Sequence, residues 1–126
     1  MKTIKKFTHI SAKTIEEAAS ALRTANAWAI AGGTDLLSTM RFEILPDKLY
    51  PQTLVNLKTI TPSLDYIKEE KGVLKIGALT RLEDIAKSDI VRSRWTALAE
   101  AAHKTGSPHI REMGTIGGNI CQLTRC

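Results

Sequence analysis

Cysteine is missing from the first 120 residues of this 126-residue chain, and only Cys121 and Cys126 break the rule. A disulfide-stapled scaffold is thereby excluded. No apolar run approaches the roughly 20 residues a helix needs to cross a bilayer. The basic start, Met1-Lys2-Thr3-Ile4-Lys5-Lys6, lacks the apolar stretch of a secretory signal, which points to the cytoplasm. Aromatic residues are only 5% of the chain, so Leu, Ile, Val and Ala must fill the interior. Internal repeats and low-complexity segments are also lacking, which argues against a solenoid. What is present is an ordinary globular composition, long enough for a modest core.

The formal net charge is +5, which raises a basic nucleic-acid-binding module as one reading. The basic residues are interleaved with acidic ones, as in Lys68-Glu69-Glu70-Lys71, and the densest group is Lys2, Lys5 and Lys6. That pattern reads as a solvated surface. Such a surface also attracts an anionic dinucleotide or an acidic partner subunit.

The chain order gives an α+β expectation. Lys6 to Ile10 reads as a first strand. Thr14-Ile15-Glu16-Glu17 is a capping box, in which Thr14 accepts from the Glu17 amide and Glu17 reaches back to the Thr14 amide. Ile15, Ala18, Ala19 and Leu22 follow at helical spacing, and Asn26 is a stop. Ala27-Trp28-Ala29-Ile30-Ala31 is a continuous apolar run, suited to a strand buried on both faces. After Gly32-Gly33-Thr34-Asp35, helical spacing resumes at Leu36, Leu37 and Met40, and Thr53 to Leu57 reads as a third strand. These elements make a parallel βαβ lobe over residues 1–57.

Residues 58–126 have another character. Tyr66 to Glu70 and Val73 to Ala78 read as a hairpin turned by Lys71-Gly72. Thr80-Arg81-Leu82-Glu83 reads as a second capping box. Trp95, Leu98, Ala99 and Ala102 mark a helix face ended by Gly106 and Pro108, and Met113 to Gly118 reads as loop and strand. This second lobe is antiparallel sheet plus helix, and it reads as incomplete.

Two glycine pairs stand out as candidate ligand loops. In Ile30-Ala31-Gly32-Gly33-Thr34-Asp35-Leu36, adjacent glycines allow positive φ and a backbone bare of Cβ atoms, so an anion can approach successive amides. Thr34 adds a hydroxyl. The competing structural reading is a tight turn with Thr34 or Asp35 capping the next helix. The Rossmann spacing G-x-G-x-x-G is absent. Thr115-Ile116-Gly117-Gly118-Asn119 repeats the recipe. A diphosphate has many lone pairs to satisfy, and two such loops together supply donors without concentrated positive charge.

The two motifs, with Ile76-Gly77-Ala78-Leu79-Thr80 between them and the helix-rich Ala97 to Ala102 stretch, resemble the FAD-binding medium subunit of molybdenum hydroxylases. That family includes xanthine dehydrogenase, carbon monoxide dehydrogenase and 4-hydroxybenzoyl-CoA reductase. The resemblance runs over nearly the whole chain and covers the N-terminal portion of such subunits. It implies that FAD lies extended between two lobes, with both glycine loops around its pyrophosphate and Thr80 also at the cofactor. It implies no catalytic acid or base here, because the flavin carries the chemistry. It implies partners as well: a small subunit with [2Fe-2S] clusters and a large subunit with the molybdenum cofactor, and neither a nucleic acid nor a membrane span. A flavin-free assembly fragment of the same subunit is the alternative.

The segment after Asn119 is similar to the 4-hydroxybenzoyl-CoA reductase branch, whose flavoprotein subunit carries an extra [4Fe-4S] cluster. Cys121 and Cys126 are then candidate ligands, although four thiolates are expected and ordinary thiols are the other reading. His9, His103 and His109 have no metal-ligand spacing. Arg111 either pairs with a phosphate or forms a salt bridge, and Trp28 and Trp95 sit on apolar faces as core residues.

Overall fold

The structure, a computed structural model, describes residues 3–124. The chain forms two compact units, the first running through Ser63 and the second starting at Leu64. In the first unit the elements are β1 (Thr8–Ser11), α1 (Ile15–Ala21), β2 (Ala27–Ile30), α2 (Leu36–Arg41), a 3-10 turn (Asp47–Leu49) and β3 (Thr53–Asn56). The three strands are parallel, in the order β1-β3-β2.

The expected parallel layer is present, but β1 and β2 are not neighbours. β3 inserts between them and is the strand with a buried centre, Leu54 and Val55. β2 is an edge strand. Ala29 is exposed, and the continuous apolar run that promised burial on both faces is only half covered. Met40, Tyr50 and Leu54 form one buried cluster, with Ile4, Trp28, Ile30 and Leu36 packed against it. Full burial of a side chain such as Leu54 contributes roughly 1.5–3 kcal/mol. The Tyr50 hydroxyl donates to the Met40 carbonyl at 3.2 Å and accepts from the Lys5 amide at 3.2 Å, which anchors the end of α2.

The first capping box forms with one shift. Thr14 accepts from the Glu17 amide at 3.1 Å, but the Glu17 carboxylate takes the Lys13 amide at 2.7 Å instead of that of Thr14. Of the expected helix stripe only Ala18 is fully buried, and Ile15 is 55% exposed. Residues 58–63 stay with the first unit, six residues beyond the change of character at Lys58. Thr59 donates to the Ala12 carbonyl at 2.6 Å, Thr61 donates its amide to Lys13 at 3.0 Å, and Ile60 is buried.

In the second unit, β4 (Ile67–Glu70) and β5 (Val73–Ile76) pair antiparallel, with Glu70 opposite Val73. Lys71 and Gly72 both hold positive φ, 50° and 78°, as a two-residue type I′ turn requires. Then come α3 (Leu82–Lys87), α4 (Asp89–Arg94), α5 (Thr96–Lys104), α6 (Pro108–Met113) and α7 (Ile116–Cys121). Ile85, Val91, Ala99 and Ala102 form the core, and the hairpin packs on it through Ile67, Leu74 and Ile76.

Three expectations for this unit are corrected. Thr80 does not open a capping box: α3 begins after Arg81 without a side-chain cap, and Glu83 turns to Arg111 and Lys87. Pro108 does more than stop a helix, because Ser107 caps a new one and proline takes its first position, where no amide is needed. Met113 to Gly118 is not loop and strand, since α7 starts at Ile116 with Thr115 as its cap. Adjacent glycines are poor helix formers, so the sequence read as broken there. The first turn tolerates them because its amides find partners outside the helix.

Candidate functional site

In a parallel sheet all strands end on the same edge, and ligands in open α/β sheets sit beyond that carboxyl edge. β2 ends there at Ile30, level with Asn56 of β3. The chain then leaves through Ala31-Gly32-Gly33-Thr34-Asp35 and enters α2 at Leu36, and all of these residues are half-buried. Gly33 holds φ at 74°, a left-handed conformation that favours glycine. Its carbonyl accepts from the Leu37 amide at 3.1 Å, and the Thr34 carbonyl accepts from the Ser38 hydroxyl at 3.3 Å.

Among the described residues, the amides of Gly32, Gly33 and Thr34 have no hydrogen-bond partner. Asp35 occupies the cap position of α2 but its side chain makes no capping bond. The purely structural reading, a helix cap by Thr34 or Asp35, therefore does not account for this turn. Three successive donors in a backbone bare of Cβ atoms at residues 32 and 33 fit an anion such as a phosphate oxygen.

The second glycine motif is built differently. Ile116 donates its amide to the Thr80 carbonyl and Gly117 to the Ala78 carbonyl, each at 2.9 Å. Gly118 donates to the Thr115 hydroxyl at 3.2 Å and Asn119 to the Thr115 carbonyl at 2.9 Å. The amides of residues 116–119 are all hydrogen-bonded within the chain, unlike those of residues 32–34. A Cβ on Gly117 would lie 2.8 Å from the Ala78 carbonyl oxygen, so this glycine lets α7 sit against residues 78–80. Of the motif's polar side chains, Asn119 is half-buried and Thr115 is buried.

Thr80 is likewise engaged. It is 1% exposed, and its hydroxyl donates to the Tyr66 carbonyl at 3.0 Å and accepts from the Tyr66 amide at 3.1 Å. Its side chain braces the hairpin entry and has no donor left for a phosphate. Arg111, the other phosphate candidate, is also taken: its Nε donates to Glu83 at 2.9 Å and its Nη1 to the Gly106 carbonyl at 3.3 Å. A salt bridge is one of the two roles expected for Arg111, but its partner stands 28 positions away beyond two other helices, so local sequence does not name it.

Glu83 is held below its ordinary value of 4.5, chiefly by the hydrogen bond from Arg111 and then by that from Lys87. A depressed folded value means that the contribution to stability is complete above the ordinary value and is lost as pH falls through the lower one. The thermal midpoint should therefore drop more steeply below about pH 4.5 in the wild type than in Glu83→Gln. Parallel curves for the two proteins would contradict this linkage.

Cys121 ends α7 and is an exposed free thiol, whereas Cys126 lies outside the described residues. Among the described residues no cluster of three or more His, Cys, Asp or Glu could hold a metal. Two cysteines do not complete a four-thiolate cluster. His9, His103 and His109 are all exposed. Trp28 and Trp95 pack on the two cores as expected. Among the described residues no helix is long and apolar enough to cross a membrane.

The family model described as "FAD binding domain in molybdopterin dehydrogenase" matches residues 5–125. The chain belongs to this family. The nicotinate dehydrogenase FAD-subunit of Eubacterium barkeri is 38% identical over 120 residues, 93% of this chain and 39% of that protein. The aldehyde oxidoreductase FAD-binding subunit of Escherichia coli K12 is 38% identical over 125 residues, 98% of this chain and 37% of that protein. Among solved structures, a carbon monoxide dehydrogenase from Hydrogenophaga pseudoflava lacking the Mo-pyranopterin moiety superposes with a TM-score of 0.86 at 35% identity. That match covers 94% of this chain and 40% of the other. The chain thus spans about two fifths of the length of these members of the FAD-binding domain family. The match supports neither the flavin-free fragment nor the nucleic-acid module.

Proposed function

We propose that this chain is the FAD-holding segment of an electron-transfer subunit in a molybdenum-containing hydroxylase or dehydrogenase. Electrons pass between iron–sulfur clusters and an acceptor through FAD. The observation that carries this reading is the run of three amides, Gly32, Gly33 and Thr34, without partners among the described residues at the carboxyl edge of a parallel sheet. FAD, when bound, supplies reversible electron transfer. The chain's own residues bind and orient it and provide no catalytic acid or base.

Ile30 and Leu36 fix the two ends of the first loop, Ala31 to Asp35 carry the phosphate contacts, and the Thr34 hydroxyl is a further donor. Since the amides of residues 116–119 are occupied and Thr115 is a buried helix cap, Asn119 contributes through its side chain, and Thr115, Ile116, Gly117 and Gly118 through the packing that places it. The partners in this reading are a molybdenum-cofactor large subunit and a [2Fe-2S] small subunit in the cytoplasm. The relatives' names as FAD subunits support it.

The test is amide-resolved NMR of the 126-residue chain titrated with FAD, ADP and riboflavin. FAD and ADP should shift the Gly32, Gly33 and Thr34 amides, while riboflavin, which has no phosphate, should leave them in place. Absence of any shift with millimolar FAD, or an equal shift with riboflavin, overturns the phosphate assignment. The same preparation should contain no iron.

A further inference from the structure

We propose that Arg111 is a positioning residue for the Thr115–Asn119 segment, its guanidinium fixing where α6 ends and therefore where α7 begins. The inference rests on the reading that this segment serves FAD. Arg111 is 6% exposed, on a helix whose other side chains are exposed. Its Nε donates to Glu83 of α3 at 2.9 Å, and its Nη1 donates to the Gly106 carbonyl in the turn between α5 and α6 at 3.3 Å.

Three residues later the backbone repeats the attachment. The Gly114 carbonyl accepts from the Leu82 amide at 3.0 Å, and Thr115 bridges Arg81. Arg81-Leu82-Glu83 is thus one platform that holds Gly114 and Thr115 by backbone and Arg111 by side chain. Immediately downstream, the Ile116 and Gly117 amides dock on the Thr80 and Ala78 carbonyls.

A buried ion pair is a weak stability device, since apolar side chains of equal volume often serve as well. What an apolar pair lacks is direction. The planar guanidinium fork fixes two acceptors at once and so sets the distance from α6 to α3 and to the preceding turn. A lysine keeps the charge but loses that fork.

The experiment compares the 126-residue chain with Arg111→Met, Arg111→Lys and Glu83→Gln by three measurements: thermal midpoint, hydrogen exchange of individual amides, and FAD titration. In Arg111→Met the Ile116 and Gly117 amides should exchange about tenfold faster, while those of α5 keep their protection. FAD should bind about tenfold more weakly, and the thermal midpoint should fall because Glu83 loses its buried partner, so the local pattern of exchange decides. Arg111→Lys should not restore either quantity. Unchanged exchange at Ile116 and Gly117, or equal acceleration throughout α5 and α6, overturns the proposal. If Arg111→Met fails to fold, Glu83→Gln, which leaves the carbonyl contact intact, decides by the same exchange measurement. If the wild-type chain binds no FAD, the function proposed above fails, and the exchange data still decide the positioning role.

Discussion

Gly77→Ala is expected to unfold the second unit. A Cβ at residue 77 would lie 1.9 Å from the Leu64 carbonyl oxygen, 2.6 Å from its carbon and 2.9 Å from a ring carbon of Tyr66. The carbonyl cannot step aside cheaply, because it accepts from the Leu79 amide at 3.0 Å. Relieving the overlap means parting residues 64–66 from 77–80. That also breaks the Gly77 amide bond to Tyr66 and the paired bonds of the Thr80 hydroxyl. The cost should be about 4 kcal/mol or more. A unit this small is held by only about 3–9 kcal/mol. Chemical denaturation followed by circular dichroism should show the second unit largely lost at 25 °C. Gly72→Ala is the control: nothing lies within 4 Å of its Cβ, and only the positive φ is strained, at about 1 kcal/mol. Equal stability of Gly77→Ala and wild type would show that the close approach at Leu64 is wrong.

Gly33→Val should abolish flavin binding while leaving the first unit folded. At a φ of 74° a β-branched side chain is strained, and its Cβ would stand 3.0 Å from a methyl of Leu37 and 3.5 Å from one of Ile30. The backbone relieves this by leaving the left-handed region, which turns the Gly33 and Thr34 amides away from their common target. Losing two charge-assisted hydrogen bonds at roughly 1.5 kcal/mol each weakens FAD binding by more than about 100-fold. Only the loop's end residues, Ile30 and Leu36, pack against the core of Met40, Tyr50 and Leu54, and neither is changed, so the thermal midpoint should move by only a few degrees. Titration of the variant with FAD at wild-type affinity would refute the loop's assignment.

The elements legible in the sequence are those specified locally. Thr14 with Glu17, the Lys71-Gly72 turn and the Trp95–Ala102 face each specify their conformation within a few residues, and the structure contains all three. The illegible parts are set by distant partners. Nothing near Ala27–Ile30 says that a strand 26 residues away takes the central place in the sheet. Thr80 has the neighbours of a helix cap, yet its hydroxyl serves Tyr66, 14 residues back. The two glycine pairs look alike as sequence, and only the tertiary partners of their amides separate an open turn from a closed one. Whether Arg111 meets a phosphate or a carboxylate is not legible locally, because its carboxylate partner lies on another helix.

The strand order of the first unit has a consequence for synthesis on the ribosome. β1 and β2 each hydrogen-bond only to β3 within the sheet, and β3 is the last of the three to be made. A nascent chain that has not yet released residues 53–56 therefore has two strands and no sheet. The Gly32-Gly33 turn leaves the tunnel more than 20 residues before the strand that fixes its position. Until the central strand has slotted in, the turn has no partner to fix its place beside the sheet.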